Sequence, residues 1–88
     1  MLEQFKELGY VYQLPKGRDK TLYLVKQDKD YTKQIFIEYD KKEAKIYVYK
    51  IKDTIKKNDL LMPKEVEAIL SFLVDNGIGE YEIVKEEE

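Results

Sequence analysis

Apolar and polar residues alternate with a period of two in three segments of this chain, the pattern of strands with one buried face. Across residues 21–27, Leu22 and Leu24 point one way and Tyr23 and Val25 the other. Across 33–39, Ile35, Ile37 and Tyr39 oppose Phe36; across 44–51, Ile46 and Val48 oppose Tyr47, Tyr49 and Ile51. β-branched and aromatic residues, which fit a pleated surface, dominate all three. The polar links Asp28-Lys29-Asp30 and Asp40-Lys41-Lys42-Glu43 are short, so consecutive strands are predicted to run antiparallel as a meander. Tyr10, Tyr12 and Leu14 alternate as a weaker first strand, closed by the turn signal Pro15-Lys16-Gly17.

Two stretches follow the helical period instead. Leu2, Phe5 and Leu8, with Met1, fall near one side of a short helix over 2–8, and Gly9 suits the left-handed residue that ends it. So short a helix does not hold alone and must dock on the sheet. A second helix is expected to start at Pro63, a favourable first helical residue, with Glu65 and Glu67 near its positive end. Val66, Ile69, Leu70, Leu73 and Val74 give it a core-facing stripe, and Asn76-Gly77 ends it. Residues 52–62 read as a loop, 81–84 as a short edge strand or packed tail, and 85–88 as a frayed acidic end. The sequence therefore predicts an α+β domain over 1–88, ordered α-β-β-β-β-α. A meander of three to four strands would carry both helices on one face. Leu22, Leu24, Ile35, Ile37, Ile46 and Val48 would line the inner face, leaving Tyr23, Phe36, Tyr47 and Tyr49 on the other.

That second face changes the picture most, because the chain holds eight tyrosines and no tryptophan, histidine or cysteine. Aromatics on an open sheet face can anchor a protein or stack bases, and tyrosine suits interfaces through its large ring, polar tip and low side-chain entropy. The plainer alternative is that tyrosine is a good strand residue whose ring half-packs and whose hydroxyl reaches water. Tyr23, Phe36, Tyr47 and Tyr49 are the candidate binding residues, for a partner protein or for a homodimer.

Charge is uneven. Residues 41–64 carry eight lysines against three acids, a local +5, and residues 65–88 carry one lysine against eight acids, a local −7. Lys41, Lys42, Lys45, Lys50 and Lys52 form a candidate basic patch for phosphates, with Lys56 and Lys57 nearby, and the same tyrosines could stack on RNA or single-stranded DNA. Only one arginine is present, although two-pronged phosphate and base contacts favour arginine. The helix start PKEVEAI also lacks the basic cluster of double-stranded-RNA-binding domains. A solvated strand edge guarded by lysines is the alternative.

Catalytic chemistry has little to work with. Without histidine or cysteine the commonest bases, nucleophiles and metal ligands are missing, and no glycine-rich phosphate loop or metal-ligand spacing is present. Asp28/Asp30 have a turn explanation and Glu65/Glu67 a helix-dipole explanation; Ser71 has no evident base. No enzyme activity, cofactor or metal is expected. The longest apolar run, about six residues at 69–74 and interrupted by Ser71, is too short to span a bilayer. With no cysteine and no basic-apolar leader, a cytoplasmic protein is expected.

The segments FKELGY, IFIEYD, AKIYVYK and PKEVEAILSFLVDNGIGE, in a chain rich in Lys, Ile, Glu and Tyr, resemble small uncharacterised proteins encoded by phages and prophages of Gram-positive bacteria. The resemblance is one of layout and covers most of the chain. It implies an accessory product, some of which act by binding host or defence proteins, and it supplies no site residues.

Overall fold

The three alternating segments form the centre of a six-stranded sheet in a computed structural model that describes residues 2–18 and 20–86. In chain order the elements are α1 (Glu3–Glu7), β1 (Val11–Gln13), β2 (Thr21–Gln27), β3 (Thr32–Tyr39), β4 (Glu43–Lys52), β5 (Ile55–Asn58), α2 (Pro63–Asp75) and β6 (Glu80–Val84). Strands β1 to β5 form an antiparallel meander in sequential order. Register carries the alternation across the sheet: Leu22 faces Ile37, which faces Ile46, and Leu24 faces Ile35, which faces Val48. All six are buried, and α1 (through Phe5) and α2 (through Ala68, Ile69, Phe72 and Leu73) close over them in one core. Both helices thus lie on the same face.

The α+β class, the antiparallel meander and the two helices agree with the sequence, but the count and order of strands differ. One strand lies where a loop was expected, and the stretch read as an edge strand or a packed tail is a strand. β5 lies in the stretch read as a loop and is joined to β4 by a two-residue turn, Asp53-Thr54, with both residues at positive φ (51° and 66°). Such turns match the twist of a hairpin but usually carry Asn-Gly, so neither the turn nor Ile-Lys-Lys-Asn announces a strand. β6 follows α2 and pairs parallel with β4, Glu43 to Tyr47 opposite Glu80 to Val84. Because β3 occupies the other side of β4, β6 and β5 lie end to end along one edge, β6 beside the first half of β4 and β5 beside the second.

The stripe on α2 also differs in phase. The buried residues are Glu65, Ala68, Ile69, Phe72 and Leu73, while Leu70 and Val74 are exposed. The helix is rotated by about one residue from the expected orientation because a carboxylate, Glu65, occupies an inward position. Gly9 (φ 93°) ends α1 and Gly77 (φ 69°) follows α2, as the sequence suggested. Met1 of the first apolar cluster, and Glu87 and Glu88 of the acidic tail, lie outside the described residues; Glu86 is hydrogen-bonded to Asn58 and Tyr49.

Candidate interaction surface

The face of the sheet away from the helices is organised by the same register. Gln13, Tyr23, Phe36, Tyr47 and Val84 form one row across five strands, and Val25, Gln34, Tyr49 and Asn58 form the next. The four candidate aromatics therefore share one surface. Tyr23 meets Phe36 edge to face at 5.1 Å between ring centroids, Phe36 meets Tyr49 at 5.8 Å, and Tyr47 stacks on Tyr49 at 6.4 Å. Such contacts hold each ring in one rotamer. Tyr23, Phe36 and Tyr47 are half-buried, whereas Tyr49 is buried beneath its neighbours.

Tyr49 acts as the base of this cluster. Its hydroxyl donates to the Glu86 carboxylate at 2.5 Å, and the Lys56 ammonium sits 4.0 Å from its ring centroid and 5.8 Å from that of Phe36. Burial first, and then the carboxylate that accepts its proton, push the phenol up to about 12. Lys56 was grouped with the basic residues of a loop; only its place in β5, opposite Ile51, brings it to the aromatic face.

The candidate lysines do not gather. Lys45 lies on the aromatic face, between Glu38 and Glu82 in register. Lys50 and Lys52 have the opposite parity and lie on the helix side, where Lys50 covers the Tyr31 ring at 4.4 Å. Lys41 and Lys42 belong to the β3–β4 turn, where Asp40 Oδ1 accepts the N–H groups of Lys42 and Glu43. Those backbone bonds hold the Asp40 carboxyl below its usual value. Lys50, Lys52 and Lys57 do line one shallow depression of about 350 Å³ with Asp53, Ile55 and Asn58, but it opens on the side away from the tyrosines.

A second cluster of titratable groups lies elsewhere, inside the core. Lys33 shares the inward parity of Ile35 and Ile37 and is 4% exposed; Glu65 is 2% exposed. Lys33 Nζ donates to Glu65 Oε1 at 2.8 Å and to the Leu60 carbonyl at 2.7 Å, with Asp59 at 3.6 Å. Glu65 also accepts the Met62 N–H at 2.8 Å, which caps α2, and a short hydrogen bond from the Tyr10 hydroxyl. Burial alone would raise the Glu65 carboxyl, but these three donors outweigh it and hold it below the usual carboxylate range. Burial and the Glu65 carboxylate both push the Tyr10 phenol well above its ordinary range. Every buried side-chain polar atom among the described residues has a partner, so the group acts as a clamp joining β3, α2 and the residue that leads into β1. Sequence reasoning missed it, although an inward-parity lysine and a glutamate in phase with Ile69 and Leu73 were visible signs.

The remaining candidates have local roles. Asp28 Oδ1 accepts the Lys29 N–H in the β2–β3 turn, and Ser71 Oγ accepts from Gln4 Nε2 at 3.0 Å, tying α2 to α1. Among the described residues no group of His, Cys, Asp or Glu is arranged to hold a metal, and no helix is long and apolar enough to cross a membrane. No protein-family model, no curated protein and no solved structure matches the chain.

Proposed function

We propose that this chain is a non-catalytic protein-binding module whose helix-free sheet face receives the partner. The row Tyr23–Phe36–Tyr47 across the three central strands carries the proposal. Its rings are interlocked before any partner arrives, so little rotamer freedom remains to be lost on binding, and Tyr49 stiffens them from below. Around them, Glu38, Glu43, Lys45, Glu80 and Glu82 supply a charged rim of mixed sign, the layout of an apolar contact with a polar border. The resemblance to phage and prophage products suggests a bacterial host or defence protein in the cytoplasm as the partner.

A nucleic-acid binder would need lysines and tyrosines on one surface. Of Lys41, Lys42, Lys45, Lys50 and Lys52, only Lys45 lies within the aromatic face, where it is flanked by two glutamates; Lys56 joins it there from β5 and is spent on the Tyr49 and Phe36 rings. That distribution favours a protein partner. The test is capture from a Gram-positive bacterial lysate with and without nuclease: a protein retained after nuclease supports the proposal, and capture that vanishes with nuclease transfers the function to nucleic acid.

A further inference from the structure

Three lysines that stand off the aromatic face meet on the other side of the β4–β5 hairpin. Lys50 and Lys52 share the parity of Ala44, Ile46 and Val48, so they leave β4 on the helix side, as do their β5 partners Lys57 and Ile55. Lys50 and Lys57 stand directly opposite each other, and like charges so placed weaken a hairpin unless something neutralises them. Among the described residues no carboxylate does so: Lys52 and Lys57 enter no ion pair and no side-chain hydrogen bond. Lys50 lies over the Tyr31 ring at 4.4 Å, which places its ammonium without cancelling its charge. Its field helps to hold the Asp28 carboxyl below its usual value, but the two form no ion pair. Lys33, by contrast, has Glu65 and Asp59, and Lys45 lies between two glutamates in register. The three lysines line the concave depression of about 350 Å³ together with Ile55, an apolar wall 59% exposed, and Asp53 at the hairpin tip. Asn58, at its margin, is committed to the Glu86 backbone and takes no part.

We propose that this depression binds a small anion carrying two linked phosphate groups, of the pyrophosphate or nucleoside-diphosphate class. Three lysines against the single carboxylate of Asp53 leave a local charge of +2, which a diphosphate matches better than one carboxylate does. Ammonium groups suit it: each is a compact charge with three donors, free to follow the tetrahedral spread of phosphate oxygens, whereas the flat arginine fork is absent here. The two-residue turn Asp53-Thr54, with both residues at positive φ, fixes the spacing of the two strands that carry the lysines. A diphosphate bridging Lys50 and Lys57 turns their repulsion into shared attraction, so the ligand also stabilises the hairpin. Ile55 gives a nucleoside or other apolar substituent a surface to rest on. Three lysines on one hairpin do not make the charged groove that tracks a nucleic-acid backbone, and this favours a small ligand. The site lies across the sheet from the aromatic face, so it stands apart from the proposed function.

Titration of the isotopically labelled full chain with inorganic pyrophosphate at low ionic strength, followed by NMR, tests this. Amide shifts should cluster at residues 50–57 and saturate, with half-saturation at about 1 mM or below. Lys52→Gln/Lys57→Gln should weaken binding about 10-fold or more. Lys41→Gln/Lys42→Gln, which removes as much charge from the turn at the other end of β4, should bind like wild type. A parallel titration with adenosine diphosphate separates the two sources of the anion, and saturable binding of either at residues 50–57 supports the proposal. Thermal unfolding gives a second readout. Lys57→Gln should melt above wild type at low salt, because it relieves the like-charge pair, and should lose most of the rise that pyrophosphate gives wild type. No saturable shift with either anion up to about 10 mM would overturn the proposal. So would equal weakening in the Lys41/Lys42 control, or binding confined to a single-stranded oligonucleotide.

Discussion

The side-chain amide of Asn58 pairs with the backbone of Glu86 in both directions, Nδ2 donating to the Glu86 carbonyl at 2.6 Å and Oδ1 accepting the Glu86 N–H at 3.3 Å. The amide thus does what a neighbouring peptide would do in a ladder. It splices the end of β6 to the end of β5 and holds Glu86 where Tyr49 can reach it.

Asn58→Ala removes the splice. A loss of about 1 kcal/mol is expected in chemical denaturation, the usual worth of a partly exposed pair of hydrogen bonds. Hydrogen exchange should rise over β6, with β2 and β3 unchanged.

The buried pair Lys33–Glu65 predicts a sharper asymmetry. Glu65→Ala leaves the Lys33 charge buried without its main partner and strips the cap from α2, for an expected loss of about 3–5 kcal/mol. Replacing both, as Lys33→Met/Glu65→Leu, removes the unpaired charge and should recover more than half of that loss in the same urea titrations. Equal damage from single and double variants would contradict the clamp.

The protonation states give a pH profile. A carboxyl held below its unfolded value adds stability above an unfolded pKa of about 4.3, and that increment is lost as pH falls through the folded value. Wild-type stability should therefore decline below about pH 4.5 more steeply than that of Glu65→Gln. Raised phenols work at the other end: the contributions of Tyr10 and Tyr49 are complete below an unfolded pKa of about 10 and are lost as pH rises through their folded values. In an alkaline absorbance titration both phenols should ionise late, and Tyr10→Phe should remove one late component.

Thr54 is a β-branched residue at φ 66°, a conformation that only glycine adopts without cost. Thr54→Gly should raise stability by about 1 kcal/mol in thermal unfolding, because it relieves the turn without touching the core. A loss would mean that the Thr54 side chain contributes to the hairpin in a way its position does not suggest.

The parts of the fold legible in the sequence are those stabilised by side-chain periodicity. Leu22, Ile35 and Ile46 declare their strands because each must face the core, and Pro63 and Asn76-Gly77 mark helix ends by local backbone preference. β5 was illegible because Ile55, Lys56, Lys57 and Asn58 do not alternate and are held by backbone pairing to β4. β6 shows alternation, but its parallel pairing depends on where α2 delivers the chain. The phase of α2 was misread because hydrophobicity favours Val66 and Leu70, whereas a lysine three strands earlier draws Glu65 inward. At the aromatic face, alternation revealed which rings share a surface; the Lys56 and Glu86 contacts depend on strand pairings the sequence does not display.

The most direct test of the central claim compares binding of the captured partner by wild type, Tyr23→Ala/Tyr47→Ala and a control, Tyr12→Ala, which alters an aromatic on the helix side of β1. Tyr49 is left in place because it is buried. With circular dichroism showing all three folded, calorimetry should show the double variant weakened about 30-fold or more and the control close to wild type, as hot-spot aromatics require. Equal affinity for all three would contradict the assignment of the helix-free face as the binding surface.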